Sequence, residues 1–98
     1  MSVRLTPEAL SDVKDARSWY ADRDVDLSNH FVASFESVLQ NLAAHPEVYP
    51  VAYRQVRRAL LRGFPYCVFY VLEPEGPLVL GCFHARRSPS AWRRRAGA

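Results

Sequence analysis

The spacing of apolar positions changes midway along the chain, and the change separates a helical half from a sheet half. Between residues 7 and 22, Leu10, Val13, Ala16 or Arg17, and Tyr20 recur every three to four residues, which predicts a helix. Thr6-Pro7-Glu8 reads as its start: a hydroxyl to cap, a proline suited to the first helical position and a carboxylate at the positive end of the dipole. Phe31, Phe35, Val38, Leu39 and Leu42 form a second, wider apolar stripe, with Asp26 or Ser28 as its cap. Pro46 disfavours helical geometry at His45 and ends it. The polar link at residues 22–26 is short, so the two helices form an antiparallel hairpin.

After Pro50 the period shortens. Residues 56–61 read as a strand interrupted by Arg57 and Arg58, and residues 66–72, dense in β-branched and aromatic side chains, as the clearest strand. Residues 78–84 read as the next, running out into Ala85-Arg86-Arg87. Gly63-Phe64-Pro65 and Pro74-Glu75-Gly76-Pro77 punctuate them as turns. Residues 2–5 alternate and predict a short first strand, and Ser88-Pro89-Ser90 opens a short last helix carrying Trp92. The order β-α-α-β-β-β specifies one α+β domain over residues 1–98. Its helical hairpin backs one face of a mainly antiparallel sheet of three or four strands.

Composition supports this: 49% of the residues are hydrophobic, enough for a core without metal or disulfide staples. The first fifteen residues include Arg4, Glu8, Asp12, Lys14 and Asp15 and no apolar signal segment, and no apolar run spans a bilayer. The expectation is a cytoplasmic protein with no membrane partner and no cofactor. Cys67 and Cys82 lie in apolar runs, where a reducing compartment keeps them as thiols, although a hairpin of the last two strands can set them face to face. No cysteine or histidine stands at metal-ligand spacing, so no metal site is expected.

Charge is strongly asymmetric. Residues 1–48 net minus four; residues 49–98 carry nine arginines against Glu73 and Glu75 and net plus seven. A surface for phosphates or for an acidic partner is implied. In a meander, Arg57, Arg58, Arg62, Arg86 and Arg87 can converge on one face or edge, where guanidinium forks match phosphate or carboxylate oxygens. Arg93, Arg94 and Arg95 read as a solvated, frayed tail. His84 beside this cluster can serve as a general base or tie down a strand end. Trp92 can stack on a base or an arginine, or cover the end of the sheet.

The run Arg62-Gly-Phe-Pro-Tyr66, then Val68-Phe-Tyr70, then His84-Ala-Arg86-Arg87, Pro89 and Trp92 resembles the second half of RelE/ParE toxins. Thr6-Pro7-Glu8-Ala9, Trp19-Tyr20 and the Phe31 and Phe35 helix leading to Pro46 fit the first half. The resemblance implies the toxin of a type II toxin–antitoxin pair, wrapped by a cognate antitoxin in a hetero-oligomer. It also implies one of two targets: DNA gyrase, inhibited by binding alone, or messenger RNA cut on the ribosome. For the ribonuclease branch it implies catalytic roles for Arg62 and Arg86, with His84 as the available base. That branch carries a C-terminal tyrosine where this chain has Trp92, and indole cannot accept a proton. It also carries lysines around the second strand, whereas the single lysine of this chain is Lys14. The departures favour the ParE-like binder, with target or phosphate binding by Arg57, Arg58, Arg62, Arg86, Arg87 and Trp92. A third reading is an inactive member that only binds its antitoxin.

Overall fold

The computed structural model describes residues 2–97. It begins with β1 (Arg4–Leu5), α1 (Pro7–Ala21) and α2 (Val25–Ala44). Strands β2 (Val51–Tyr53), β3 (Val56–Leu60), β4 (Tyr66–Glu73) and β5 (Gly76–His84) follow, and the chain ends with α3 (Pro89–Arg93) and a 3₁₀ turn, Arg94–Ala96. The strands form one five-stranded sheet in the order β1-β5-β4-β3-β2, antiparallel except where β1 lies parallel to β5. The architecture is the expected α+β arrangement, with one more strand than the periodicity suggests. The extra strand, β2, is too short for an alternation to be legible. It reverses into β3 through Arg54, whose φ of 54° is left-handed in a residue with a full side chain.

Local chemistry explains the helix ends. Thr6 sits in extended geometry, and its hydroxyl accepts the Ala9 N–H at 3.0 Å, while its own N–H donates to Val79 O. One residue therefore both caps α1 and fastens it to β5. The cap of α2 is Asp24, two residues earlier than the expected Asp26: its carboxylate accepts the Asp26 N–H at 2.9 Å. Ser28 lies inside the helix instead, buried, and its hydroxyl donates to Arg17 O, joining the two helices. The second helix ends at His45, as Pro46 dictates.

The sheet is covered on both faces. On the helical face Tyr20, Phe31, Phe35, Leu42, Val68, Tyr70 and their neighbours form the main core. On the outer face Val56, Cys67, Phe69, Leu80 and Phe83 form a second cluster, closed by Trp92 from α3. The expected last helix is thus a lid on the face the helical hairpin leaves open.

Strands β4 and β5 slip register once along their length. Phe69 stands opposite Gly81 and Tyr70 opposite Val79, so Leu80 is an extra residue. The bulge leaves Leu80 O and Cys82 N–H at the outer edge of β5, beyond the point where β1 has ended. There Asp12 and Arg95 take the place of a strand. The Asp12 carboxylate accepts the Cys82 N–H at 3.0 Å, and Arg95 donates to Leu80 O at 2.9 Å and to Asp12 at 2.9 Å and 3.2 Å. Gly81 is required at this point: a Cβ would stand 2.5 Å from Phe83 Cε1 and 3.0 Å from Arg95. The cysteines do not face each other. Cys82 pairs with Val68 on the helical face, while Cys67 pairs with Phe83 on the outer face, so the two thiols lie on opposite sides of the sheet.

Candidate target-binding surface

Strand geometry splits the arginines that the sequence suggests would converge. Successive side chains alternate faces, so Arg57 and Arg58 point to opposite sides of β3. Arg57, opposite Tyr70, turns to the helical side and donates to Glu47 O at 3.0 Å and Tyr49 O at 2.7 Å. It clamps the loop after α2 rather than joining an open surface. Arg58, opposite Phe69, is exposed on the outer face.

Arg62, Arg86 and Arg87 sit at one end of the sheet. The chain turns between Leu61 and Tyr66, whose N–H and C=O bond each other, and the Ala85 N–H bonds Pro65 O beside them. Arg62 leans to the helical side, where Ser34 donates to its carbonyl and Ser37 and Asn41 border the same hollow. Arg86 is exposed in the turn after β5. Arg87 lies over the Phe83 ring at 5.1 Å, on the outer face.

His84 is half-buried, its ring edge-on to Tyr66 at 5.3 Å. Its Nδ1 accepts the Arg86 N–H at 3.1 Å. This bond engages Nδ1 and favours the tautomer with the ring proton on Nε2. Next to it, a cleft of about 300 Å³ opens between α1 and the end of β5, bordered by Asp15, Trp19, Tyr66, His84 and Arg87. Burial, then the neighbouring Tyr20 and Cys82, pushes the Tyr66 phenol up from its ordinary range, so it holds its proton. Burial, then Asp12 and Cys67, pushes the Cys82 thiol up to about 12, so it is not a nucleophile.

Trp92 is not free to meet a ligand. It is 7% exposed and stacks on Phe69 at 4.4 Å and 13°. The tail behind it is ordered rather than frayed. Arg93 lies over Tyr53 at 4.7 Å and over Trp92 at 5.5 Å, and Arg54 covers Tyr53 at 5.1 Å. Arg94 Nε donates to Ser90 O, and Arg95 is committed to Asp12. Arg54, Arg58, Arg93 and Arg94 thus surround the Tyr53–Trp92 pair on the outer face. Arg54, Arg93 and Tyr53 are not legible as site residues in the sequence. A helix seating Trp92 on the sheet is the available signal, because it brings the residue after Trp92 down beside β2.

Among the described residues no group of histidines, cysteines and carboxylates can hold a metal ion, and no helix is long and apolar enough to cross a membrane. The shape is shared with known proteins. Among solved structures, one described as the chromosomal ParDE toxin–antitoxin system from P. aeruginosa superposes with a TM-score of 0.76 at 16% identity, covering 86% of this chain and 95% of that chain. No curated protein matches the chain. The sequence model of the ParE toxin of the type II toxin–antitoxin system parDE matches residues 3–89. A match over residues 3–89 of the 98, on a fold of the same architecture, assigns the chain to the ParE toxin family of type II toxin–antitoxin systems.

Proposed function

We propose that the protein arrests growth by binding an essential target, DNA gyrase, without cutting nucleic acid, and that a cognate antitoxin wraps and neutralises it. The observation that carries the choice of binding over cleavage is the commitment of the His84 Nδ1 lone pair to the Arg86 N–H. An endoribonuclease of this size needs a group to take the attacking hydroxyl's proton. The histidine that the sequence offers as general base has Nδ1 engaged by the Arg86 N–H, and the partly buried Tyr66 phenol keeps its proton. Trp92, already packed in the outer core, supplies no alternative. Arg62, Arg86 and Arg87 at the open end of the sheet supply charge for recognition instead. Similarity to a protein described as part of a ParDE system supports an antitoxin partner.

Purified protein added to a gyrase supercoiling reaction is expected to inhibit it, and messages in expressing cells are expected to stay intact. His84→Gln is expected to leave growth arrest unchanged, whereas Arg62→Gln with Arg86→Gln weakens it. Full supercoiling across a wide dose range removes gyrase as the target. Codon-positioned cuts abolished by His84→Gln or Arg86→Ala restore the ribonuclease reading. Growth without arrest on induction leaves an inactive antitoxin-binding member. Co-expression of a cognate antitoxin is expected to relieve the arrest.

A further inference from the structure

We propose that the outer face of the sheet is a docking surface for the phosphate backbone of duplex DNA, distinct from the sheet end that carries Arg62 and Arg86. A continuous row of rings crosses this face: Phe83 to Phe69 at 6.0 Å, Phe69 to Trp92 at 4.4 Å and Trp92 to Tyr53 at 6.1 Å. The row is topped by guanidinium groups. Arg93 lies over both Trp92 and Tyr53, and Arg54 over Tyr53, while Arg87, over Phe83, marks where the row meets the sheet end. Arg58 rises beside Phe69 from β3, and Arg94 borders the same hollow as Tyr53, Ser90 and Arg93. A guanidinium laid on a ring is oriented without spending its N–H groups, whose in-plane forks stay available for oxygen ligands.

Towards the β2 end of this row no carboxylate of the described residues pairs with a guanidinium, whereas at the Phe83 end Asp12 and Asp15 border the same cleft as Arg87. The ten Asp and Glu residues all fall in the two helices, their connections, or the β4–β5 turn at Glu73 and Glu75, and residues 76–98 contain none. The ion pairs of Arg4 and Arg95 use Glu73, Glu75 and Asp12, which leaves Arg54, Arg58, Arg93 and Arg94 without a carboxylate partner among the described residues. The surface has charge but little apolar anchorage. Phe69, Phe83 and Trp92 are 3%, 4% and 7% exposed, and the exposed apolar side chain that β3 adds to this face is Leu60, opposite Cys67. A protein partner draws most of its affinity from apolar or aromatic anchors set in pockets. A regular polyanion needs only donors, repeated at the spacing of its phosphates. The observations therefore favour a nucleic-acid backbone over an acidic protein surface.

The test needs no gyrase, so its outcome is separable from the target assigned above. Binding of the full chain to a fluorescent 20-base-pair duplex is measured by anisotropy across a salt series. Four phosphate contacts predict a slope of log K against log salt of roughly −3.6. Arg54→Gln with Arg93→Gln is expected to weaken binding at least tenfold and flatten the slope by about 2, since each lost phosphate contact removes about 1. Lys14→Gln with Arg17→Gln removes the same charge from the helical side and is expected to change little. Melting curves of both variants confirm that each is folded. No binding at low salt overturns the proposal. Equal losses in the two variants do so too, since they reduce it to net charge. Tighter binding to polyglutamate than to DNA at matched salt assigns the face to an acidic protein instead.

Discussion

Replacing Asp12 by alanine tests whether an ion pair serves as the missing edge strand of β5. The carboxylate accepts three N–H groups, one from Cys82 and two from Arg95, and so ties α1, β5 and the C-terminal turn together. Its side chain is 18% exposed and that of Arg95 28%, so the pair lies between two regimes. Exposed pairs contribute about 0–1 kcal/mol, whereas removing one partner of a buried pair costs about 3–5 kcal/mol. The loss of an acceptor for the Cys82 N–H is partly offset by water entering the adjoining cleft, which places Asp12→Ala at about 2–3 kcal/mol. For a domain near 100 residues that lowers Tm by roughly 10–20 °C. Arg95→Ala, whose acceptors are easier to hydrate, is expected to cost about 1–2 kcal/mol. Because both changes break the same contact, the double variant should cost less than the sum, with a coupling of about 1–2 kcal/mol. Urea titrations followed by circular dichroism measure all three. Single losses below about 0.5 kcal/mol that add without coupling would refute the idea that this pair closes the edge.

Other substitutions probe separate parts of the fold. Tyr70→Phe removes the phenol that donates to Pro46 O at 2.8 Å and leaves a partly buried carbonyl to water, so denaturant titration should show a loss of about 1 kcal/mol. Gly81→Ala drives a methyl into Phe83 and the Asp12–Arg95 pair and is expected to cost about 1–3 kcal/mol, read as a lower urea midpoint. The Cys82 thiol ionises near 9.0 when unfolded but only at about 12 when folded. Above pH 9 the unfolded chain therefore holds fewer protons than the native one, and stability falls as pH rises towards 12, by at most about 1.4 kcal/mol per pH unit. Cys82→Ala should flatten that decline in melts recorded from pH 8 to 11.

Much of the fold is legible because long elements write their periods plainly. The stripe from Phe31 to Leu42 and the aromatic run from Tyr66 to Tyr70 each persist for several repeats, and both elements fall where the spacing puts them. Strand β2 leaves no such trace because three residues hold a single alternation, and its turn uses Arg54 in place of the expected glycine or asparagine. The candidate surface is harder to read, for a reason of geometry. Sequence shows that arginines cluster but not which face of a strand each occupies. Adjacent Arg57 and Arg58 part company across β3, and the former is drawn off to two backbone carbonyls. The C-terminal arginines look like a solvated run because their order depends on long-range partners: the acceptor of Arg95 lies 83 residues earlier, and the ring beneath Arg93 belongs to β2. The bulge at Leu80 is likewise a product of tertiary pairing, whereas the α2 cap falls to Asp24 rather than Asp26 by a local bond two residues long.

The two thiols on opposite sides of the sheet make the molecule its own opening gauge. Cys67 is sealed by the Trp92 segment and Cys82 by the helical hairpin, so each reacts with an alkylating reagent only when its own cover lifts. Mass-resolved labelling after a short pulse would separate detachment of the C-terminal cover, which modifies Cys67 alone, from collapse of the helical layer, which adds Cys82. Because the sheet stands between them, neither event can be masked by an internal cross-link.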